Sequence, residues 1–210
     1  MRKTKTSARP DDPLRRACLA AALTGPLGWP LTGRAETDLR SLLQRGGVAI
    51  AFRHALAPGT FDPEGFRLDD CSTQRNLNDE GREQARRIGR WFRERGLVPT
   101  RVLASPWCRC TETARLAFGD AVQVWSALGA PPRSDSAARE AQVAQLRSAL
   151  AALPAGRFEA WVTHQFVLQD LAGAPTQSGE ALVLRARRAG AGASGTAAAG
   201  VEVLARAVLH

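Results

Sequence analysis

The chain has 210 residues, 44% apolar and 23% charged, which is ordinary globular usage and excludes a disordered or fibrous protein. No run of about eighteen apolar residues occurs, so no conventional membrane-spanning helix is expected. The formal net charge of +9 suggests a polyanion partner until it is divided along the chain: residues 1–35 hold seven basic and two acidic side chains, whereas residues 36–210 hold 22 Arg against 18 Asp and Glu. More than half of the excess lies in the first segment, and nucleic-acid binding is not expected.

That first segment reads as an export signal. A basic opening (Arg2, Lys3, Lys5, Arg9) leads to the pair Arg15-Arg16, a short apolar run follows, and small residues stand at Gly33 and Ala35. The pattern fits a cleaved signal over residues 1–35, and the paired arginines suggest the twin-arginine route. A periplasmic or secreted protein without stable membrane insertion would follow. The alternative is a basic tail on a cytoplasmic protein.

Residues 36–210 are expected to form one domain. A short helix over 37–46 precedes the Gly46-Gly47 break and the apolar run Val48 to Phe52, which fits a buried parallel strand. Residues 55–78 are loop-like. A helix over 79–95 follows, with Asn78 as N-cap, Asp79 and Glu80 in its first turn and Gly96 at its end. Further strands are expected at 101–105, 121–125, 159–164 and 180–185, and helices at 109–118 and 137–152. Residues 189–200 are a Gly/Ala/Ser-rich stretch expected to be a flexible loop, and "VEVLARAVL" adds an edge strand. Alternating strands and helices predict an α/β fold, a three-layer α/β/α sandwich with a mostly parallel central sheet. Ligands in such sheets bind beyond the carboxyl ends of the strands.

Three cysteines follow the signal. In an oxidising compartment Cys71 could bridge Cys108, or alternatively Cys110, tying the 55–78 loop to the segment around Arg109; three reduced, buried thiols are the other possibility. Their spacing does not suggest zinc.

The histidines carry the functional signal. Of three in the chain, the internal two, His54 and His164, each close an apolar strand, and Arg53 directly precedes the first. Two histidines at matched strand ends, one directly after an arginine, point to a functional site rather than to core packing. The wider sequence resembles the histidine phosphatase superfamily, the phosphoglycerate-mutase-like fold. "FRHALAPG" is similar to its Arg-His signature, and "LNDEGREQARRIGRWF" to the helix after it. "VLASPWCRCTETARLAF" is similar to its Ser-Pro, Arg, Thr-Ala segment, and "WVTHQFVLQDLAG" with "SGEALVLR" to its second-His motif and following strand. The resemblance implies that His54 attacks phosphorus and becomes phosphohistidine. Arg53, Arg109 and a protonated His164 would surround the phosphoryl oxygens. No cofactor or metal is implied.

The departures from the family pattern concern proton transfer. Ala55 stands where Gly often follows the Arg-His pair, and Gln165 follows the second His where one branch has Asp. The nearest candidates for a proton donor are Asp135 and Glu140, with Asp120 more remote; a loop carboxylate, Glu64, Asp69 or Asp70, could instead fold inward. Arg75 and Asn76 are candidates for substrate contact, while Trp107 is expected to pack and Ser105 to shape a turn. The reading is a phosphatase acting on a phosphorylated small molecule or protein, with oligomeric state open. A non-catalytic phosphate or polyanion binder on the same fold is the alternative, and a mutase is weaker.

Overall fold

The structure, a computed structural model, describes residues 32–132, 134–187 and 200–210. The expected export signal up to residue 31 and the low-complexity stretch 188–199 lie outside the described residues. The elements are α1 (Thr32–Arg45), β1 (Val48–Arg53), α2 (Asp79–Glu94), β2 (Val102–Ala104), α3 (Cys108–Phe118), β3 (Val122–Val124), α4 (Ser136–Ala151), β4 (Phe158–Thr163), α5 (Gln165–Ala172), β5 (Glu180–Ala186) and β6 (Val201–Val208). α1 begins at Thr32, ahead of the cleavage point expected at Ala35.

The six strands form one sheet in the order β3-β2-β4-β1-β5-β6. β1, β2, β3 and β4 are mutually parallel; β5 runs antiparallel to β1, and β6 pairs antiparallel with β5. Period-two alternation divides the sheet's side chains between two cores. Val48, Ile50 and Phe52 of β1 face one side and pack with Leu43, Ile88 and Phe92 of α1 and α2 and Ala114 of α3. Ala49 and Ala51 face the other side with Leu146 and Leu150 of α4 and Leu168 and Leu171 of α5. Helices thus cover both faces, which is the three-layer sandwich. The sequence reading lacked α5 and the antiparallel direction of β5, because apolar runs carry no sign of direction.

Two glycines set the approach to the site. Gly46, before β1, has a φ of +65°, and a Cβ there would lie 2.1 Å from the Arg157 amide nitrogen. Gly81 lies in the first turn of α2, where a Cβ would meet the Leu56 carbonyl oxygen at 2.0 Å. That close approach lets Gln84, one turn on, accept from the Leu56 amide at 2.9 Å and donate to the Ser178 carbonyl at 2.8 Å. α2 thereby clamps the chain just after His54. Gly81→Ala is expected to destabilise the fold by about 1–3 kcal/mol, read as a lowered urea midpoint; an unchanged midpoint would show that the loop yields freely.

Candidate active site

The two histidines meet because of strand register. β1 and β4 are adjacent and parallel with Arg53 opposite Thr163, so residues 54 and 164 leave the sheet side by side. The His54 amide donates to the Thr163 carbonyl at 2.9 Å, and the ring centroids lie 5.6 Å apart. Arg109 arrives from α3, which begins shortly after β2 ends beside β4.

The hydrogen bonds fix both tautomers. His54 Nδ1 lies 2.8 Å from the Ala55 carbonyl oxygen, which only accepts, so Nδ1 carries the proton and Nε2 the lone pair. His164 Nδ1 faces Arg109 at 3.4 Å, and a guanidinium only donates, so its proton is on Nε2, 2.8 Å from Ser105 Oγ. Burial, the largest effect, and the charges of Arg109, Arg75 and Arg53 push His54 down to about 3 against the help of the Ala55 carbonyl. His164 is pushed well below the ordinary range by burial first, then by Arg109 and His54. Burial and the surrounding arginines thus favour the neutral form of both imidazoles.

Three guanidinium groups line the same cavity of about 580 Å³. Arg53 donates to Gln165 Oε1 and the Thr176 carbonyl, both at 2.9 Å. Arg75 donates to the Ala57 carbonyl. Arg109 donates to Asp62 Oδ1 at 2.8 Å. In all three the Nε is buried without a hydrogen-bond partner. Burial and the proximity of Arg109 lower both Arg53 and Arg75. Three clustered like charges lining one cavity form an anion site, since an oxyanion would offset their mutual repulsion. The amino ends of α3 and α5 also open on the cavity, adding positive potential.

The structure brings Arg53, His54, Arg75, Arg109 and His164 together and leaves other candidates outside. Asp135 and Glu140 are not placed to donate a proton: Asp135 caps α4 by accepting from the Ala138 amide at 2.9 Å, and Glu140 lines a separate cavity with Arg139 and Asp170. Asp69 and Asp70 pair with Arg67, and Asp70 caps the short 3₁₀ turn Cys71–Thr73. Asp120 sits in the exposed turn before β3. Asn76 holds the Cys71 carbonyl at 2.6 Å. Glu64 alone of these lines the cavity, exposed at its rim.

Sequence reasoning missed Asp62. Its Oδ1 accepts from Arg109 and from the Arg75 amide at 3.0 Å, and its Oδ2 from Trp107 Nε1 at 3.2 Å. Burial would raise this carboxyl, but the Arg75 amide, Arg109 and Trp107 hold it below the ordinary range. Nothing in the spacing of "TFDPEGF" separates Asp62 from its acidic neighbours. Ser105 does more than shape a turn, since its Oγ accepts a hydrogen bond from His164 Nε2, and Gln165 orients Arg53. A Cys71–Cys108 disulfide, with Cα atoms 5.7 Å apart, fastens the loop to the start of α3. Cys110 remains a free, buried thiol, pushed up to about 12 chiefly by burial.

Comparison with known proteins places the chain in a family. The model of the histidine phosphatase superfamily (branch 1) matches residues 69–199, well over half of the chain, a span that includes Arg109 and His164 and begins after Arg53 and His54. The chain belongs to the histidine phosphatase superfamily. No curated protein gives a sequence match. Among solved structures, mycobacterial hydrolase 2 is 17% identical, with 77% of this chain and 90% of that one covered and a TM-score of 0.51. Mycobacterial hydrolase 1 is 16% identical, covering 76% and 96%, with a TM-score of 0.50. The protein histidine phosphatase SixA in complex with tungstate is 17% identical, covering 76% and 95%, with a TM-score of 0.47. At these identities the likeness is one of fold.

Neutral buried histidines give a signed pH prediction. The unfolded chain takes up protons at about pH 6.5 that the folded site refuses, so this contribution to stability is full above that pH and lost as pH falls towards about 3. Ring-nitrogen NMR should show His54 and His164 staying neutral between about pH 8 and pH 5. A midpoint near the ordinary histidine value would contradict the described environment.

Proposed function

We propose that this histidine phosphatase superfamily member is a phosphatase that hydrolyses the phosphate ester of a small molecule through a phosphohistidine on His54. The observation that carries the reading is the pair of imidazoles, with ring centroids 5.6 Å apart, in one cavity lined by three arginines. The His54 Nε2 lone pair attacks phosphorus while the bond to the leaving oxygen breaks. The arginines hold the three equatorial oxygens, where charge spreads in the transition state. An incoming phosphate dianion offsets the charge of Arg109, Arg75 and Arg53. That allows His164 to take up a proton and hydrogen-bond a phosphoryl oxygen. Water then attacks the phosphohistidine, releasing inorganic phosphate and restoring the neutral imidazole. Ser105 and Arg109 fix the plane of His164, and Asp62 and Gln165 fix the forks of Arg109 and Arg53.

Brief mixing with 32P-labelled p-nitrophenyl phosphate, quenched in alkaline denaturant in which a phosphoramidate survives, should label His54. His54→Ala should remove the label and lower kcat at least about a thousandfold. Undiminished turnover in that variant would overturn the mechanism. Phosphate binding abolished by Arg109→Ala, with no turnover by the intact chain, would instead favour the binder.

We further propose that the protein works in the periplasm or outside the cell. The Cys71–Cys108 disulfide supports an oxidising compartment. Fractionation should recover the processed chain outside the cytoplasm, with Cys71 and Cys108 refractory to alkylation until reduced. Recovery of the unprocessed chain in the cytoplasm with both thiols reactive would refute the placement.

A further inference from the structure

The floor of the cavity is polar, but its wall is aromatic. Trp107 meets His164 edge to face with ring centroids 5.1 Å apart, and the Phe66 ring centroid lies 6.1 Å from that of Trp107. Phe61, at the mouth of the same cavity, is 76% exposed. Phe61, Phe66 and Trp107 thus line the same cavity as the second histidine. A phosphate seated on the arginines would direct its ester substituent along them, and flat rings pack on such faces in offset or edge-on contact.

Leaving-group chemistry points the same way. Among the described residues lining the cavity the carboxylates are Asp62 and Glu64. Both oxygens of Asp62 are committed to Arg109, the Arg75 amide and Trp107. Glu64 is exposed at the rim between Pro63 and Gly65, with no hydrogen bond or ion pair to a described residue to fix it on a leaving oxygen. A site without a positioned proton donor forgoes general-acid help worth roughly a hundredfold to ten-thousandfold. An alkoxide needs that help. A phenoxide, whose parent phenol has a pKa of about 10, needs far less.

Resting on the phosphatase reading, we propose that the substrates are aryl phosphate monoesters, in which the phosphate is carried by a phenolic oxygen and the ring lies against Phe61, Phe66 and Trp107. The His54 Nε2–P bond forms as the P–O(aryl) bond breaks. The aryloxide keeps the bonding electron pair, leaves along the aromatic wall and takes its proton from solvent. Hydrolysis of the phosphohistidine consumes one water, so the products are a phenol and inorganic phosphate.

The test compares phenyl phosphate, cyclohexyl phosphate and acetyl phosphate on the full chain. Phenyl phosphate, with a ring of similar size but a better leaving group, should exceed cyclohexyl phosphate in kcat/KM by at least about a hundredfold. Acetyl phosphate, an activated substrate without a ring, isolates the wall. Phe61→Ala and Phe66→Ala should each lower the ratio of phenyl to acetyl phosphate kcat/KM by about threefold to tenfold. Comparable rates for phenyl and cyclohexyl phosphate, or an unmoved ratio in both variants, would overturn the aryl assignment while leaving the phosphohistidine chemistry standing. Failure to turn over any of the three substrates would overturn the phosphatase reading and this inference with it.

Discussion

The parallel pairing of β1 with β4 is the constraint on which the site depends. Arg53 opposes Thr163, and the bond from the His54 amide to the Thr163 carbonyl extends that ladder by one residue. Two imidazoles separated by more than a hundred residues of sequence are thereby set side by side. The register cannot slip by one residue without turning Val48, Ile50 and Phe52 out of their core and Ala49 and Ala51 out of the other. A slip of two residues would move one histidine along the sheet by about 6.6 Å and part the pair. The burial that stabilises the domain is therefore also what aligns the nucleophile with its partner.

On that base the protein concentrates positive charge where a carboxylate-rich site would have cancelled it. Arg53, Arg75 and Arg109 repel one another and depress both histidines, and Asp62 is the one carboxylate among the described residues bonded directly to this cluster. This arrangement keeps His54 uncharged with its lone pair on Nε2. The Ala55 carbonyl sets the tautomer, so no proton must leave before attack. The same field would make a dianion the stabilising partner of the site, since three guanidinium groups line one cavity and only Asp62, among the described residues, offsets them with a direct ion pair.

The loop after His54 supplies the remaining order. It has almost no regular secondary structure, yet it is fastened at several points: by the Cys71–Cys108 disulfide, by Gln74 accepting from the Cys108 amide at 3.0 Å, by Gln84 from α2 and by Asp62 on Arg109 and Trp107. Those ties carry Phe61, Phe66 and Glu64 to the rim, so the loop determines what the mouth of the site presents to a ligand.

Much was legible in the chain itself. Continuous apolar runs marked β1 and β4, helical spacing marked α2, and histidines at matched strand ends marked the chemistry, because each is a local pattern repeated over a few residues. Arg53, Arg109 and Arg75 were named from their motifs and neighbours, and all three line the cavity. Tertiary structure alone decided the rest, because it depends on which distant groups become neighbours. Asp62 and Glu64 look alike in sequence, but only Asp62 reaches Arg109. Asp135 and Glu140 precede the second histidine in the chain, but Asp135 caps α4, Glu140 lies on it, and neither lines the cavity. The choice of Cys108 over Cys110 and the lowered basicity of His164 likewise follow from packing: one thiol faces the loop, the other is sealed beneath His164, and burial beside Arg109 disfavours a charge on the imidazole.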